Sequence, residues 1–259
     1  MSARPDYREG VGLSFNENIG GRKVFGNIDL EQTSIHSADF RFELYPWKND
    51  LFSVTGFYKY LDKPIETLQV AGAAGALVNT YRNGVYANNL GVEIEVKKDF
   101  GFIHPVLEKL SLYGNFTYIY SRIVVENGQN AIYSTKDRPL QNQSPWIING
   151  LLSYEYDFKR EIRGRILYGF ALSVAFNYVG PRIELVSLKG EESAPEVPDT
   201  YYYPAPQLDI IMKQKFWIGE FSFKLKNLLN MKAETKLGDN ILNSESEGIE
   251  FSGSYKVKF

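Results

Sequence analysis

The 259-residue chain contains no cysteine. Disulfides, thiolate metal sites and thiol catalysis are thereby excluded. Histidine is almost as scarce: His36 and His104 are the only two, far apart and without a companion at metal-ligand spacing, so each is expected to be an isolated surface residue. Net charge is small, at -2 with a pI near 5.9, which implies no general attraction to nucleic acid. Long apolar runs are missing as well. The longest small and apolar stretch, 70–78, falls far short of the roughly 20 residues that a spanning helix needs. Residues 1–30 are broken by Arg4, Asp6, Arg8, Glu9, Asn16 and Asn18, so they hold no apolar core of the secretory kind. No Gly-rich phosphate loop, nucleophile elbow or paired-carboxylate pocket emerges, so neither an enzyme nor a cofactor site is expected.

Aromatic residues are plentiful, at 15% with 18 Tyr and 17 Phe, while 23% of residues are charged and the mean hydropathy is -0.29. That combination fits a soluble protein. It equally fits a transmembrane β-barrel, in which only alternate residues face lipid and the average stays polar.

Alternation decides more than composition. In 249–259, Ile249, Phe251, Gly253, Tyr255, Val257 and Phe259 fall on one face and Glu250, Ser252, Ser254, Lys256 and Lys258 on the other. Similar stretches predict strands near 34–45, 51–60, 87–98, 110–124, 146–156, 168–179, 206–216, 219–227 and 249–259, with a partial one near 7–15, about nine or ten in all. Charge alternates with apolar bulk in several of them: Glu93, Glu95 and Lys97 with Val92, Ile94 and Val96, and Asp39, Arg41 and Glu43 with Phe40, Phe42 and Leu44. A water-filled lumen tolerates such a charged face, whereas a packed interior requires every charge to be paired.

Connection lengths alternate too. The stretches 46–50, 99–109, 157–167 and 217–218 are short or moderate, while 61–86, 125–145, 180–205 and 228–248 run to about twenty residues or more, longer than compact soluble domains usually carry. All long connections then fall on one rim, which is the layout of outer-membrane barrels. Tyr118, Tyr120, Trp146, Tyr154, Tyr156, Tyr178 and Phe216 sit where interface girdles would need them. A soluble β-sheet module with one solvated face is the competing reading of the same pattern.

A family resemblance adds to this. Arg4-Pro5-Asp6-Tyr7-Arg8-Glu9, Gly26-Asn27-Ile28-Asp29-Leu30 and Phe40-Arg41-Phe42-Glu43-Leu44-Tyr45-Pro46 closely resemble successive barrel segments of TonB-dependent outer-membrane receptors, above all those of the Bacteroidetes type. Gly91-Val92-Glu93-Ile94-Glu95, Gly114-Asn115-Phe116-Thr117-Tyr118, Ser144-Pro145-Trp146, Tyr178-Val179-Gly180-Pro181-Arg182 and Asn227-Leu228-Leu229-Asn230 follow in the same order. The resemblance implies an all-β fold, part of an antiparallel transmembrane barrel of about 22 strands closed by a plug. It implies a receptor in the outer membrane of a Gram-negative bacterium, importing siderophore-iron, haem, cobalamin or a glycan with energy from a TonB-type transducer acting through the plug. Residues 1–259 would then be the C-terminal portion of the barrel, a fragment without plug, signal peptide or N-terminal barrel half. A small stand-alone barrel with a structural or adhesin-like role is the alternative.

Site expectations are few. Tyr255, Val257 and Phe259 resemble the signal read by the barrel-insertion machinery. Tyr201, Tyr202 and Tyr203 are placed in a long external connection, as ligand-stacking residues or as part of the outer girdle facing membrane lipid. Glu191, Glu192, Glu196 and Asp199 form an acidic stretch expected to be solvated loop charge. The stretch 70–78 is expected to be ordinary loop.

Overall fold

A computed structural model describes residues 1–16, 23–71, 77–125, 137–162, 165–187, 198–216 and 218–257. Strands are numbered here along the chain. Ten of them make one sheet: β1 (Ser2–Ala3), β4 (Thr33–Leu44), β5 (Leu51–Asp62), β8 (Tyr86–Asp99), β9 (Leu110–Val124), β10 (Trp146–Ile162), β11 (Arg165–Val179), β14 (Gln207–Phe216), β15 (Gly219–Lys226) and β18 (Glu250–Val257). They lie in chain order, each pairing antiparallel with its neighbours. No α-helix occurs among the described residues; a short 3-10 turn, Pro105–Lys109, precedes β9.

Register across this wall sorts side chains by chemistry. One rung runs Phe42, Val54, Ile94, Phe116, Ile148, Tyr178 across six strands. The adjacent rung, one residue along each strand and therefore on the opposite face, runs Glu43, Ser53, Glu95, Asn115, Asn149, Asn177, Gln207. Among the described residues the apolar face has no protein packed on it: Phe40 is 76% exposed and Phe251 67%. Contiguous apolar surface of that extent marks a face built for another apolar phase.

Three of the long connections, 61–86, 180–205 and 228–248, are not simple loops. Six strands drawn from them, with two from the segment between β1 and β4, form a second sheet at one rim: β2 (Ser14–Asn16), β3 (Lys23–Phe25), β6 (Ile65–Ala71), β7 (Leu77–Asn83), β12 (Arg182–Ser187), β13 (Thr200–Tyr203), β16 (Ala233–Leu237) and β17 (Asn240–Glu245), in the order β17-β16-β13-β12-β6-β7-β3-β2. Most pairs are hairpins, but β12 with β6 and β3 with β7 run parallel, which joins separate connections to one another. The buried apolar core sits where this rim sheet meets the wall: Leu68, Ala87, Ile123, Val125, Ile183 and Val186, with Leu61, Val70, Leu140 and Tyr201 against it.

Four expectations are corrected. The partial strand near 7–15 is mostly turn; its end, β2, belongs to the rim, and the tenth wall strand is β1. The stretch 70–78 is no ordinary loop, since β6 and β7 pair from Ile65↔Asn83 to Ala71↔Leu77, with residues 72–76 outside the described set. The connection 157–167 is largely strand. β10 and β11 reach 17 and 15 residues, and each shifts register, at Tyr156/Lys159 and at Tyr168/Phe170. Gly169 occupies the second shift at φ 59°, and a Cβ there would sit 2.9 Å from the Tyr156 carbonyl oxygen, so glycine is required. Finally, Tyr201, Tyr202 and Tyr203 lie in strand β13 rather than in a loop.

Candidate functional site

The polar face carries a directional chain of side-chain amides. Asn177 Nδ2 donates to Asn149 Oδ1 at 2.7 Å, Asn149 Nδ2 to Asn115 Oδ1 at 3.4 Å, and Asn115 Nδ2 to the Glu93 carboxylate. A carboxylate only accepts, so Glu93 sets the direction of every amide behind it. Beside this chain, Arg41 Nη2 donates to Glu95 Oε2 at 2.7 Å, which also accepts from Ser53 Oγ at 3.4 Å. A hollow of about 500 Å³ opens over the amides, lined among others by Tyr113, Asn115, Asn149, Asn177, Gln207 and Asp209.

A second hollow of about 270 Å³ shares Asn177 and Gln207 with the first and continues towards the rim, where Arg182, Tyr202, Asn227 and Glu247 line it. Asn227 is placed by the turn that leaves β15: its φ is 52° and that of Asn230 is 46°, a left-handed backbone that asparagine tolerates. Its N–H donates to Asp209 Oδ1 at 2.9 Å and its Nδ2 to the Gly248 carbonyl at 2.9 Å. The segment Asn227-Leu228-Leu229-Asn230 is thus a strand exit, as its sequence suggests, and it also builds a wall of the groove.

Within the rim, Glu66 and Arg138 form a two-pronged ion pair at 2.7 and 2.8 Å, with side chains 1% and 2% exposed. Gln141 adds its N–H to Glu66 at 3.1 Å, donates Nε2 to the Thr67 and Glu184 carbonyls, and accepts from Thr67 N–H. Three connections meet at this buried point.

Charge is handled differently at the opposite, short-turn rim. Lys98 lies on the apolar face, opposite Leu112; it pairs with the buried Asp50 and sits 3.9 Å from the Trp47 ring centroid and 4.4 Å from that of Phe102. The Lys98 ammonium, then the Asp99 N–H at 3.0 Å, hold the Asp50 carboxyl below the usual carboxylate range. The folded state therefore favours the ionised form. Its contribution is fully present above the ordinary aspartate pKa and is lost as pH falls through the lower, folded value. Acid unfolding of the intact chain should accordingly move to lower pH than that of Asp50→Asn, whose curve should lack this component. Superimposable acid limbs in the two proteins would remove Asp50 from the account.

The residues singled out from the sequence do not converge on one centre. Tyr202 lines the groove and carries the Arg182 guanidinium 4.9 Å from its ring centroid. Tyr201 packs on the rim core, where burial and then the Asp199 carboxylate push its hydroxyl pKa up; Tyr203 lies 4.9 Å from Lys236. Tyr255 and Val257 stand exposed on the apolar face of β18, and Phe259 lies outside the described residues. Glu191, Glu192 and Glu196 also lie outside them. Asp199 is buried and accepts the Ser187 N–H at 2.9 Å, so it is not solvated loop charge. His104 caps the 3-10 turn, accepting from Val106 N–H at 3.2 Å, and His36 is exposed beside Tyr60. The amide chain has no local sequence signal because its successive members lie 22, 34 and 28 residues apart, and only register brings them together; the Asn227 turn is legible as a strand exit, but its place in the groove is not.

A sheet with one apolar and one polar face, long connections on one rim and short turns on the other is the plan of a membrane barrel. A family model, the TonB dependent receptor-like β-barrel, matches residues 2–228. The chain belongs to that family. Among solved structures, the TonB-dependent receptor barrel is similar to a mutant ferric enterobactin receptor from Pseudomonas aeruginosa, at 13% identity and a TM-score of 0.50. The match covers 82% of this chain and 28% of that receptor, so the chain spans well under a third of the receptor's length, and at that identity the likeness concerns the fold. No curated protein matches the chain in sequence.

Proposed function

We propose that this chain forms the C-terminal portion of the wall of a nutrient receptor in the outer membrane of a Gram-negative bacterium. The observation that carries the reading is the division of one sheet into an unpartnered apolar face and an amide- and carboxylate-rich face. Membrane lipid covers the first, and the lumen lies against the second.

Two sheet edges, the outer side of β4 beyond its short pairing with β1 and the outer side of β18, have no partner strand among the described residues. In lipid an unpaired backbone group costs several kcal/mol, so both edges require further strands. The N-terminal half of the barrel supplies them, and a plug domain fills the lumen and receives energy from a TonB-type transducer. The barrel-insertion machinery recognises Tyr255, Val257 and Phe259. The segment resemblances favour a receptor of the Bacteroidetes type, importing siderophore-iron, haem, cobalamin or a glycan.

The test is fractionation followed by uptake. The receptor that contains this chain should remain in the outer-membrane fraction through alkaline washing, and growth on its nutrient should require the transducer. Dispersion without detergent would replace this reading with a soluble β-sheet module. Outer-membrane residence without transducer dependence would make it a structural or adhesin-like barrel.

A further inference from the structure

The rim sheet follows the same order as the wall beneath it. β2 and β3 precede β4, and β16 and β17 join β15 to β18, so the two ends of the rim stand over the two open edges of the wall.

Among the described residues, the most exposed apolar side chains of the rim lie at those ends. In the middle, Leu68 on β6 and Ile183 and Val186 on β12 are buried. At one end Leu13 and Ile28 are exposed, Ile28 by 73%; at the other Met231, Ile241 and Leu242 are, Ile241 by 55%. Backbone bonds hold the first group in place: the Gly26 N–H donates to the Leu13 carbonyl at 3.2 Å and the Asn27 N–H to the Glu9 carbonyl at 2.7 Å. Apolar surface fixed in this way and left in water marks a contact with further protein.

The end at β17 is also an open strand edge. Among the described residues β17 pairs with β16 alone, and it is exposed at all six positions. Its sequence, Asn-Ile-Leu-Asn-Ser-Glu, carries neither the Lys nor the Pro that commonly blunts an edge left to solvent. Asn243 Oδ1 accepts the Ser244 N–H at 2.9 Å, which closes the edge towards its end, beyond Ile241 and Leu242.

One occupant covers both ends. A pair of copies related by a two-fold axis buries the same patch on each copy, so it would leave the other end bare. The wall strands that complete the barrel lie beside both open edges, and their outer connections reach both ends of the rim. We infer that these connections carry extended apolar segments that pack on Leu13 and Ile28 at one end and on Ile241 and Leu242 at the other, closing the rim sheet into a collar round the mouth of the barrel. The inference rests on the receptor reading above and adds a second seam, beyond the wall, to the one between wall strands.

The experiment uses the absence of cysteine from the chain. In the receptor that contains it, with any cysteine elsewhere replaced by serine, three single variants are labelled with a membrane-impermeant maleimide, on intact cells and again after purification in detergent. They are Ile28→Cys, Ile241→Cys and, as the reference in the exposed β16–β17 turn, Asp239→Cys. The reference should label readily on cells. Ile28→Cys and Ile241→Cys should label more slowly by about tenfold or more in both settings, because thiol reactivity follows access and the cover belongs to the same polypeptide. Heat-modifiable migration should be the same in all three. Protection on cells that is lost in detergent would overturn the inference, since the cover would then be lipid or a separate protein. Protection at one end alone would overturn it in favour of a two-fold pair. Labelling of both at the reference rate would overturn the collar and leave the receptor reading standing. A reference that labels only after lysis would overturn the receptor reading, and the collar with it.

Discussion

Arg138→Ala should destabilise the rim sheet by about 3–5 kcal/mol, the cost of leaving one member of a buried ion pair without its partner. Glu66 is 1% exposed and would retain only the Gln141 N–H among the contacts described above. The damage should spread, because Glu66 lies on β6, Arg138 in the connection between β9 and β10, and Gln141 reaches the Glu184 carbonyl on β12. These contacts stand beside the parallel pairing of β6 with β12, which itself amounts to Val186↔Leu68 and Ser187↔Gln69. Amide hydrogen exchange should therefore accelerate in β6, β7, β12 and β13 together, while β9 and β10 in the wall keep their protection. The double replacement Glu66→Leu with Arg138→Met keeps similar volume and removes both members of the pair, so it should recover most of the loss. If the double variant exchanged as fast as Arg138→Ala, packing around the pair would carry the stability and the ion pair would not. Exchange confined to residues beside Arg138 would show that the rim connections behave independently.

That joint was invisible in the sequence for a physical reason. Alternation is a local signal, and it placed nine wall strands close to their observed bounds because each wall strand separates two environments along its whole length. It failed where the two environments end. Past Tyr156 the bulges shift the pleat, so the alternation of β10 breaks and the strand seems to stop some residues early. In the rim the strands are three to seven residues long, too short for a two-residue period to stand out, and β17 is exposed at every residue. Glu66 and Arg138 are 72 residues apart, and nothing near either foretells burial. The same limit explains the groove: Asn115, Asn149 and Asn177 read separately as ordinary polar strand positions and become a chain only through the registers of β9 with β10 and β10 with β11. Tyr202 was singled out as an aromatic in a long connection, yet what places it in the groove is the antiparallel pairing Arg182↔Tyr202.

Phe223→Arg should cost about 2–4 kcal/mol if its side chain lies near the bilayer midplane, and Lys224→Gln, one residue along, should cost little. Phe223 pairs with Met212 on one side and Gly253 on the other, within an apolar set that also holds Leu225, Phe221 and Phe251. Lys224 pairs with Ile211 and Ser252 on the opposite face, towards the lumen. Both backbones keep the same ladder bonds in either variant, so the comparison isolates the solvent each side chain meets. Transferring a guanidinium into hydrocarbon is opposed by its lost hydration, whereas an amide in place of an ammonium in a wet lumen changes only one exposed charge. The contrast is measured by urea-dependent unfolding of the receptor in lipid vesicles, read by gel mobility. It also separates a membrane barrel from a soluble sheet with one solvated face. In water the apolar face would have to be covered by protein, and Phe223→Arg would then cost the packing of one aromatic ring whatever the lipid. In the barrel the penalty should shrink when thinner bilayers bring position 223 nearer the headgroups. A penalty independent of bilayer thickness, or equal tolerance at both positions, would assign the apolar face to a protein partner instead of lipid.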